Sequence, residues 1–316
     1  MSADASPVTT NIDYQKDGKQ VGYLRVPHSH NTSAWGSILI PITVIKSGQG
    51  PTVLFTGGVH GDEYEGPVAL IKLARRLSVS EINGRLIILP GLNFPALQAG
   101  KRLSPIDNKD MNRVFPGDPK GTISQVIAHY IREAVLPLCD DVIDLLSGGY
   151  SLYFVPYISM QYLEYERQRA ATLAAMQAFQ APVSMVIKEI GGEGLMDYEV
   201  ENMGKIFLCA EMAGAGMFSP SALKIAETGI RNLLVHFGMQ PGEIQTRESQ
   251  GQPPPVEMEI PSMDYYSLAP SSGIFEPFFE LGDWINSSEQ LGQIHSLEHV
   301  FGKPSLITAQ RSGRII

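Results

Sequence analysis

The feature that most narrows the fold is one unbroken passage from an apolar run, through a glycine-rich turn, into an amphipathic segment. Thr52-Val53-Leu54-Phe55-Thr56 reads as a buried strand, and Val68, Ala69, Leu70, Leu73 and Ala74 recur at helical spacing. Between them lies Gly57-Gly58-Val59-His60-Gly61-Asp62-Glu63-Tyr64-Glu65-Gly66. A strand that feeds a helix through a short turn is half of a parallel βαβ unit, and open parallel sheets bind ligands at such strand ends. His60 and Glu63, three apart on that turn, are donor types that zinc accepts. On an exposed loop the same pair would have no role, and the bare spacing does not separate the two readings.

The alternation continues along the chain. Ser37–Ile45, Arg85–Pro90, Asp141–Leu146, Val183–Ile187 and Lys205–Ala210 read as short apolar strands, and Pro41 marks the first of these as a sheet edge or a bulge. Helices are expected at about 65–77, after the capping pattern Thr122-x-x-Gln125, over 161–179, and from Ser219-Pro220 to about Phe237. Beyond Gly238 the texture changes. Gly251-Gln252-Pro253-Pro254-Pro255 reads as a linker, and short strands follow at Ser271–Pro277, Leu281–Ile285 and Ser305–Ala309. The expected division is a large α/β domain over residues 1–240 and a small all-β module over 241–316.

A length of 316 residues accommodates such a pair, at roughly 100–200 residues per domain. The formal net charge is −9, from 33 acidic and 24 basic residues, which argues against a nucleic-acid surface. Two cysteines, Cys139 and Cys209, make neither a disulfide framework nor a thiolate zinc site and are expected to be buried free thiols. The polar start, Met1 to Pro7, lacks a signal pattern, and no apolar run has the ~18 residues of a membrane span. The expectation is a cytoplasmic protein with a small-molecule partner, no nucleic acid and no membrane. His28 and His30, in a Pro-His-Ser-His loop, read as solvated, and His129, His236, His295 and His299 receive no role.

Two further stretches carry candidate chemistry. Lys101–Gly117 is long, polar and irregular, and its Arg102, Asn112 and Arg113 suit carboxylate recognition, although a solvated surface loop has the same look. Glu211 follows an apolar strand and precedes Gly214 and Gly216, a position that suits a catalytic acid/base or marks the strand's exit to water. Ser147-Gly148-Gly149 lacks the G-x-S-x-G elbow of a serine hydrolase.

With these residues in view, the chain resembles the succinylglutamate desuccinylase/aspartoacylase family of zinc amidohydrolases. Gly58-x-His60-Gly61-Asp62-Glu63 is similar to its first zinc motif, and Asp110-Met111-Asn112-Arg113-x-Phe115-Pro116-Gly117 to its substrate-binding motif. Glu211 matches the position of its general base. Pro27–His30, Ser33–Gly36 and Gly61–Pro67 resemble the branch that deacetylates N-α-acetyl-L-2,4-diaminobutyrate in ectoine degradation. The resemblance implies a carboxypeptidase-like α/β fold: a mixed, mostly parallel sheet flanked by helices, with a small C-terminal all-β barrel-sandwich domain. It implies one Zn²⁺ on His60, Glu63 and a third ligand, Glu211 as catalytic base, Arg102 at the scissile carbonyl, and Asn112 and Arg113 on the α-carboxylate of an N-acyl amino acid. A side-chain ammonium on that substrate needs an acidic partner, for which Asp62 and Glu65 are candidates. The resemblance also points to a homo-oligomer, which no sequence feature here decides.

One departure stands out. The family's third ligand is a His in Asp-x-His-Ser-Gly-Gly, and here Asp144-Leu145-Leu146-Ser147-Gly148-Gly149 puts Leu146 in that place. Leucine has no donor atom, so zinc binding and turnover are expected to be impaired. An introduced substitution, a natural loss that leaves a small-molecule binding protein, and an error in the sequence all remain open. The chain also stops at Ser312–Ile316, where a β module of this kind makes its closing hairpin, so a module cut short is expected.

Overall fold

The computed structural model describes residues 6–188 and 192–316; the N-terminal reading over Met1–Ala5 lies outside them. Among the described residues one large sheet has ten strands: β1 (Thr9–Thr10), β2 (Gly18–Pro27), β3 (Ser37–Ser47), β4 (Thr52–Gly57), β5 (Gly84–Leu89), β6 (Asp141–Leu146), β7 (Tyr157–Gln161), β8 (Val183–Ile187), β9 (Ile206–Glu211) and β10 (Val256–Ile260). Their spatial order is β1-β2-β3-β5-β4-β6-β9-β7-β8-β10. β5, β4, β6 and β9 run parallel at the centre, as do β7, β8 and β10 at one side, while β1, β2 and β3 form an antiparallel flank. The junctions β3–β5 and β9–β7 are antiparallel, so the sheet is mixed.

Helices α1 (Glu65–Arg76), α2 (Phe94–Ala99), α3 (Ile123–Tyr130), α4 (Glu166–Phe179), α5 (Met196–Asn202) and α6 (Pro220–His236) cover the sheet. Every residue of β4 and of β6 is buried, as expected for central strands covered on both faces. Alternate side chains then feed two cores. Val53, Phe55, Ile143 and Leu145 meet Leu70 and Leu73 of α1, Met176 and Phe179 of α4 and Ile230 and Leu233 of α6. Leu54, Val142 and Leu146 point the other way, into a cluster with Val126 and Ile127 of α3 and Met196 and Val200 of α5.

Pro41 pairs with Tyr23 of β2, and β5 reaches β3 only from Thr43 onward, so Pro41 lies on a stretch with one hydrogen-bonded neighbour. The missing N–H is tolerated there. The expected helix over 161–179 needs correction at its start, because Tyr157–Gln161 is strand β7 and the helix begins at Glu166. Long-range pairing with β8 and β9 overrides local propensity in that stretch. After the linker the chain first adds β10 to the edge of the large sheet. It then forms two small antiparallel sheets, one of β11 (Ile274–Pro277), β13 (Gln290–His295) and β14 (Ser305–Thr308), the other of β12 (Trp284–Ile285) and β15 (Gly313–Arg314). β13 escaped the sequence reading because only Gly292 and Ile294 of its six residues are buried. No helix among the described residues is long and apolar enough to cross a membrane.

Candidate active site

The site lies at the C-terminal ends of the central parallel strands. β4 ends at Gly57, and the turn to α1 carries His60 and Glu63 inward, 3% and 2% exposed. Gly58 sits at φ +66°, a conformation that side chains with a Cβ rarely adopt. Gly61 passes so close to α2 that a Cβ would stand 1.9 Å from the carbonyl carbon of Ala96.

His60 is gripped from both sides. Its Nδ1 lies 2.7 Å from Glu63 Oε1 and its Nε2 lies 3.0 Å from Asp110 Oδ1. Arg102 Nη2 donates to Asp110 Oδ2 at 3.0 Å, and Arg102 Nη1 stands 3.9 Å from Glu63 Oε1, which closes the ring of charges. The backbone N–H of Ser147 donates to Glu63 Oε2 at 3.0 Å and so ties this turn to the end of β6. Burial pulls the imidazole down, but its bonds to Asp110 and Glu63 and the charge on Glu63 more than offset that and raise it to about 9. Burial pushes Asp110 up, yet the bond to His60 and the charges on His60 and Arg102 hold it well below the usual carboxylate range.

Glu211 ends β9 directly beside Leu146 at the end of β6. Burial, with the nearby charge on Glu63, pushes its carboxyl well above the ordinary range, and Oε2 has no hydrogen-bond partner among the described residues. Asn112 and Arg113 occupy a short turn capped by Asp110, whose Oδ1 accepts from the Asn112 N–H. Asn112 Oδ1 accepts from the backbone N–H of Met196, which leaves its amide NH₂ as the side available to a ligand. Arg113 is exposed and donates from Nη1 to the Asn112 carbonyl at 2.6 Å.

The fold therefore brings His60, Glu63, Arg102 and Glu211 into one electrostatic group and links Asn112 and Arg113 to it through Asp110. Sequence reasoning passed over Asp110. Its signal was its place at the head of an Asp-x-Asn-Arg run, where a short acid caps the following turn. Asp62 and Glu65, the candidate ammonium partners, are both buried: Asp62 Oδ2 accepts from Tyr150 N at 2.9 Å and Glu65 Oε1 from Ser219 N at 2.7 Å, while the second oxygen of each has no hydrogen-bond partner among the described residues. Cys139 is buried and Cys209 only partly so, and both are free thiols.

The donor set does not fit a catalytic zinc of the usual kind, which takes three protein ligands. Leu146, which the resemblance puts in the third ligand's place, is 6% exposed and packed in an apolar cluster. Asp144, on the same strand face, is wholly buried with Oδ1 accepting from the Thr56 hydroxyl at 2.7 Å. Among the described residues no group of three or more His, Cys, Asp or Glu could hold a metal ion.

Next to the site, Glu201 on α5 is pushed up to about 8 by burial and by the charge on Asp197. A carboxyl raised from 4.5 costs the fold nothing below about pH 4.5 and increasingly more as pH climbs toward 8. Glu201→Gln is therefore expected to raise the thermal unfolding midpoint at about pH 9 and to change it little at about pH 5. An equal change at both values would contradict this account of Glu201.

Charged side chains are thus gathered at the parallel strand ends of a mixed α/β sheet, where open sheets of this kind bind ligands. The model of the succinylglutamate desuccinylase/aspartoacylase catalytic domain matches residues 49–237. The chain is 39% identical over 308 residues to the N-alpha-acetyl-L-2,4-diaminobutyric acid deacetylase of Halomonas elongata, covering 98% of this chain and 89% of that one. The product-bound ectoine utilization protein EutE (DoeB) of Ruegeria pomeroyi superimposes with a TM-score of 0.94 at 41% identity, covering 99% of this chain and 94% of that chain. A succinylglutamate desuccinylase/aspartoacylase from Rhodobacter sphaeroides gives 0.93 at 42% identity, over 98% and 92% of the two chains. This chain belongs to the succinylglutamate desuccinylase/aspartoacylase family.

Proposed function

We propose that the site takes an N-acyl amino acid and that its chemistry is hydrolysis of the acyl amide. The specific reaction is deacetylation of N-α-acetyl-L-2,4-diaminobutyrate in ectoine degradation, and the chain as it stands is impaired in it. The observation that carries the reading is the grouping of His60, Glu63, Arg102, Asp110 and Glu211 at one set of strand ends, in a chain 39% identical to such a deacetylase. Arg113 and the Asn112 amide hold the α-carboxylate. Arg102, steadied by Asp110, polarises the acyl carbonyl. Glu211 takes a proton from the attacking water and returns it to the leaving amine, so the C–N bond breaks to acetate and a free diamino acid.

Zinc dependence belongs to the same proposal, for a site with its third ligand in place. With Leu146 there, the ligand set is one short. Leu146 also favours a second reading, a family member that binds its small molecule without hydrolysing it. We further propose a cytoplasmic protein that forms homo-oligomers, with an amidohydrolase domain over 1–240 and a barrel-sandwich β domain within 241–316, from which β10 is excepted because it completes the large sheet.

Calorimetric titration with N-α-acetyl-L-2,4-diaminobutyrate tests the pocket apart from turnover. The chain is expected to bind it, and Arg113→Ala to weaken binding by about tenfold to a hundredfold through loss of a charge-assisted pair. Unchanged affinity in Arg113→Ala would remove the carboxylate role. No binding to the intact chain would remove the reading itself.

A further inference from the structure

We propose that His28 and His30, at the tip of the β2–β3 hairpin, form an open two-imidazole site for a divalent transition-metal ion, with copper(II) held best. The site is separate from the group at the strand ends, and the inference does not rest on the N-acyl amino acid reading.

The hairpin builds the pair. β2 and β3 stay in register out to Pro27 and Ser37, while β3 pairs with β5 only from Thr43 onward. The hairpin therefore runs about 15–20 Å past the end of β5, at roughly 3.3 Å per residue, on the side of the sheet where His60 lies. Its tip is closed by backbone bonds, from His28 N to Gly36 O at 2.9 Å, from His30 N to Ser33 O at 3.0 Å and from Ser33 N to His30 O at 2.9 Å. These bonds fix the points from which the two side chains rise. The ring centres stand 5.4 Å apart with the planes tilted by 32°. Two imidazoles that share one ion at about 2.0–2.1 Å per nitrogen place their ring centres roughly 5 Å apart. The pair is already near chelating distance, so binding orders little that is not ordered beforehand.

Three details fit an ion. The His28 ring is half-buried and makes no side-chain hydrogen bond among the described residues. His30 Nδ1 lies 2.9 Å from Thr32 Oγ1. An ion on His30 Nε2 selects the tautomer whose Nδ1–H donates to that hydroxyl, the outer bond that metal-binding histidines usually make. Gly36 keeps Nε2 open, because a Cβ there would stand 2.7 Å from it. Two protein donors leave the rest of the coordination shell to water. They are too few to retain zinc through purification. Copper(II) is the divalent ion that imidazole donors bind most strongly. The competing explanation is that the two rings only pack on each other and on Gly36 to close the hairpin.

Trp35, 95% exposed, adjoins Gly36 in the same tip and reports on the site. The chain has two tryptophans, so Trp284→Phe leaves Trp35 alone. Titration of the Trp284→Phe chain with copper(II) chloride is expected to quench Trp35 emission to saturation at one ion per chain. Nickel(II) and zinc(II) are expected to displace the copper only in about tenfold excess or more. His28→Ala and His30→Ala are each expected to weaken copper binding by about tenfold or more, and Thr32→Val by about tenfold. Both histidines lie on a tip outside the core, so the unfolding midpoint should not move with them. Quenching that climbs without saturating overturns the proposal, and so does saturable quenching that either histidine variant leaves unchanged. Zinc(II) bound as tightly as copper(II) overturns it as well.

Discussion

Leu146→His is expected to increase hydrolysis of N-α-acetyl-L-2,4-diaminobutyrate by roughly 10²-fold or more in the presence of zinc. Leu146 closes β6 beside Glu211, and its neighbour Ser147 ties that strand end to Glu63. A histidine there supplies the third protein ligand that a catalytic zinc takes. Stability gives a second readout. Leu146 is buried in an apolar cluster, so an imidazole without a partner at that point lowers the unfolding midpoint, and added zinc restores it. The parent should show neither the loss nor the recovery. A Leu146→His protein that gains no activity and no zinc-dependent shift would favour the binding-protein reading.

Gly61→Ala is expected to cost about 3 kcal/mol or more, at the upper end for overpacking. The added methyl would stand 1.9 Å from Ala96 C and 2.0 Å from Ala96 O, so backbone rather than a flexible side chain must give way. The same backbone is pinned by the bond from Gly61 N to the Lys101 carbonyl. Displacing it moves His60 and Glu63 on one side and the chain leading to Arg102 on the other. Denaturant unfolding should show the loss, and ligand affinity should fall with it. Gly313→Ala is the control, because nothing lies within 4 Å of a Cβ built there. A change there of roughly 0.5 kcal/mol or less is expected, as for an ordinary surface substitution. Comparable losses in the two variants would mean that the turn is not clamped as described.

What could be read in advance was local. The passage through β4, the turn and α1 announces itself because apolar period, glycine content and helix onset all fall within one short window. Glu211 was visible for the same reason, as the carboxylate at a strand's end. What could not be read depends on distant pieces meeting. Asp110 grips His60 across a separation of 50 residues, and Gln161 meets Asp197 across 36. Asp62 and Glu65 adjoin His60 and Glu63 in sequence, yet backbone N–H groups 88 and 154 residues away each engage one of their oxygens. The strand order has the same origin: β9 lies between β6 and β7, and β10 joins the large sheet from beyond the linker, where only the tertiary fold decides.

The central claim is that this is a family metal site short of one ligand. Zinc per chain, by elemental analysis of the parent and of Leu146→His purified identically, tests it most directly. The account predicts a nearly empty parent and about one zinc in the variant. A parent that already carries a full equivalent would contradict it, because His60 and Glu63 would then hold the metal without the donor that Leu146 lacks.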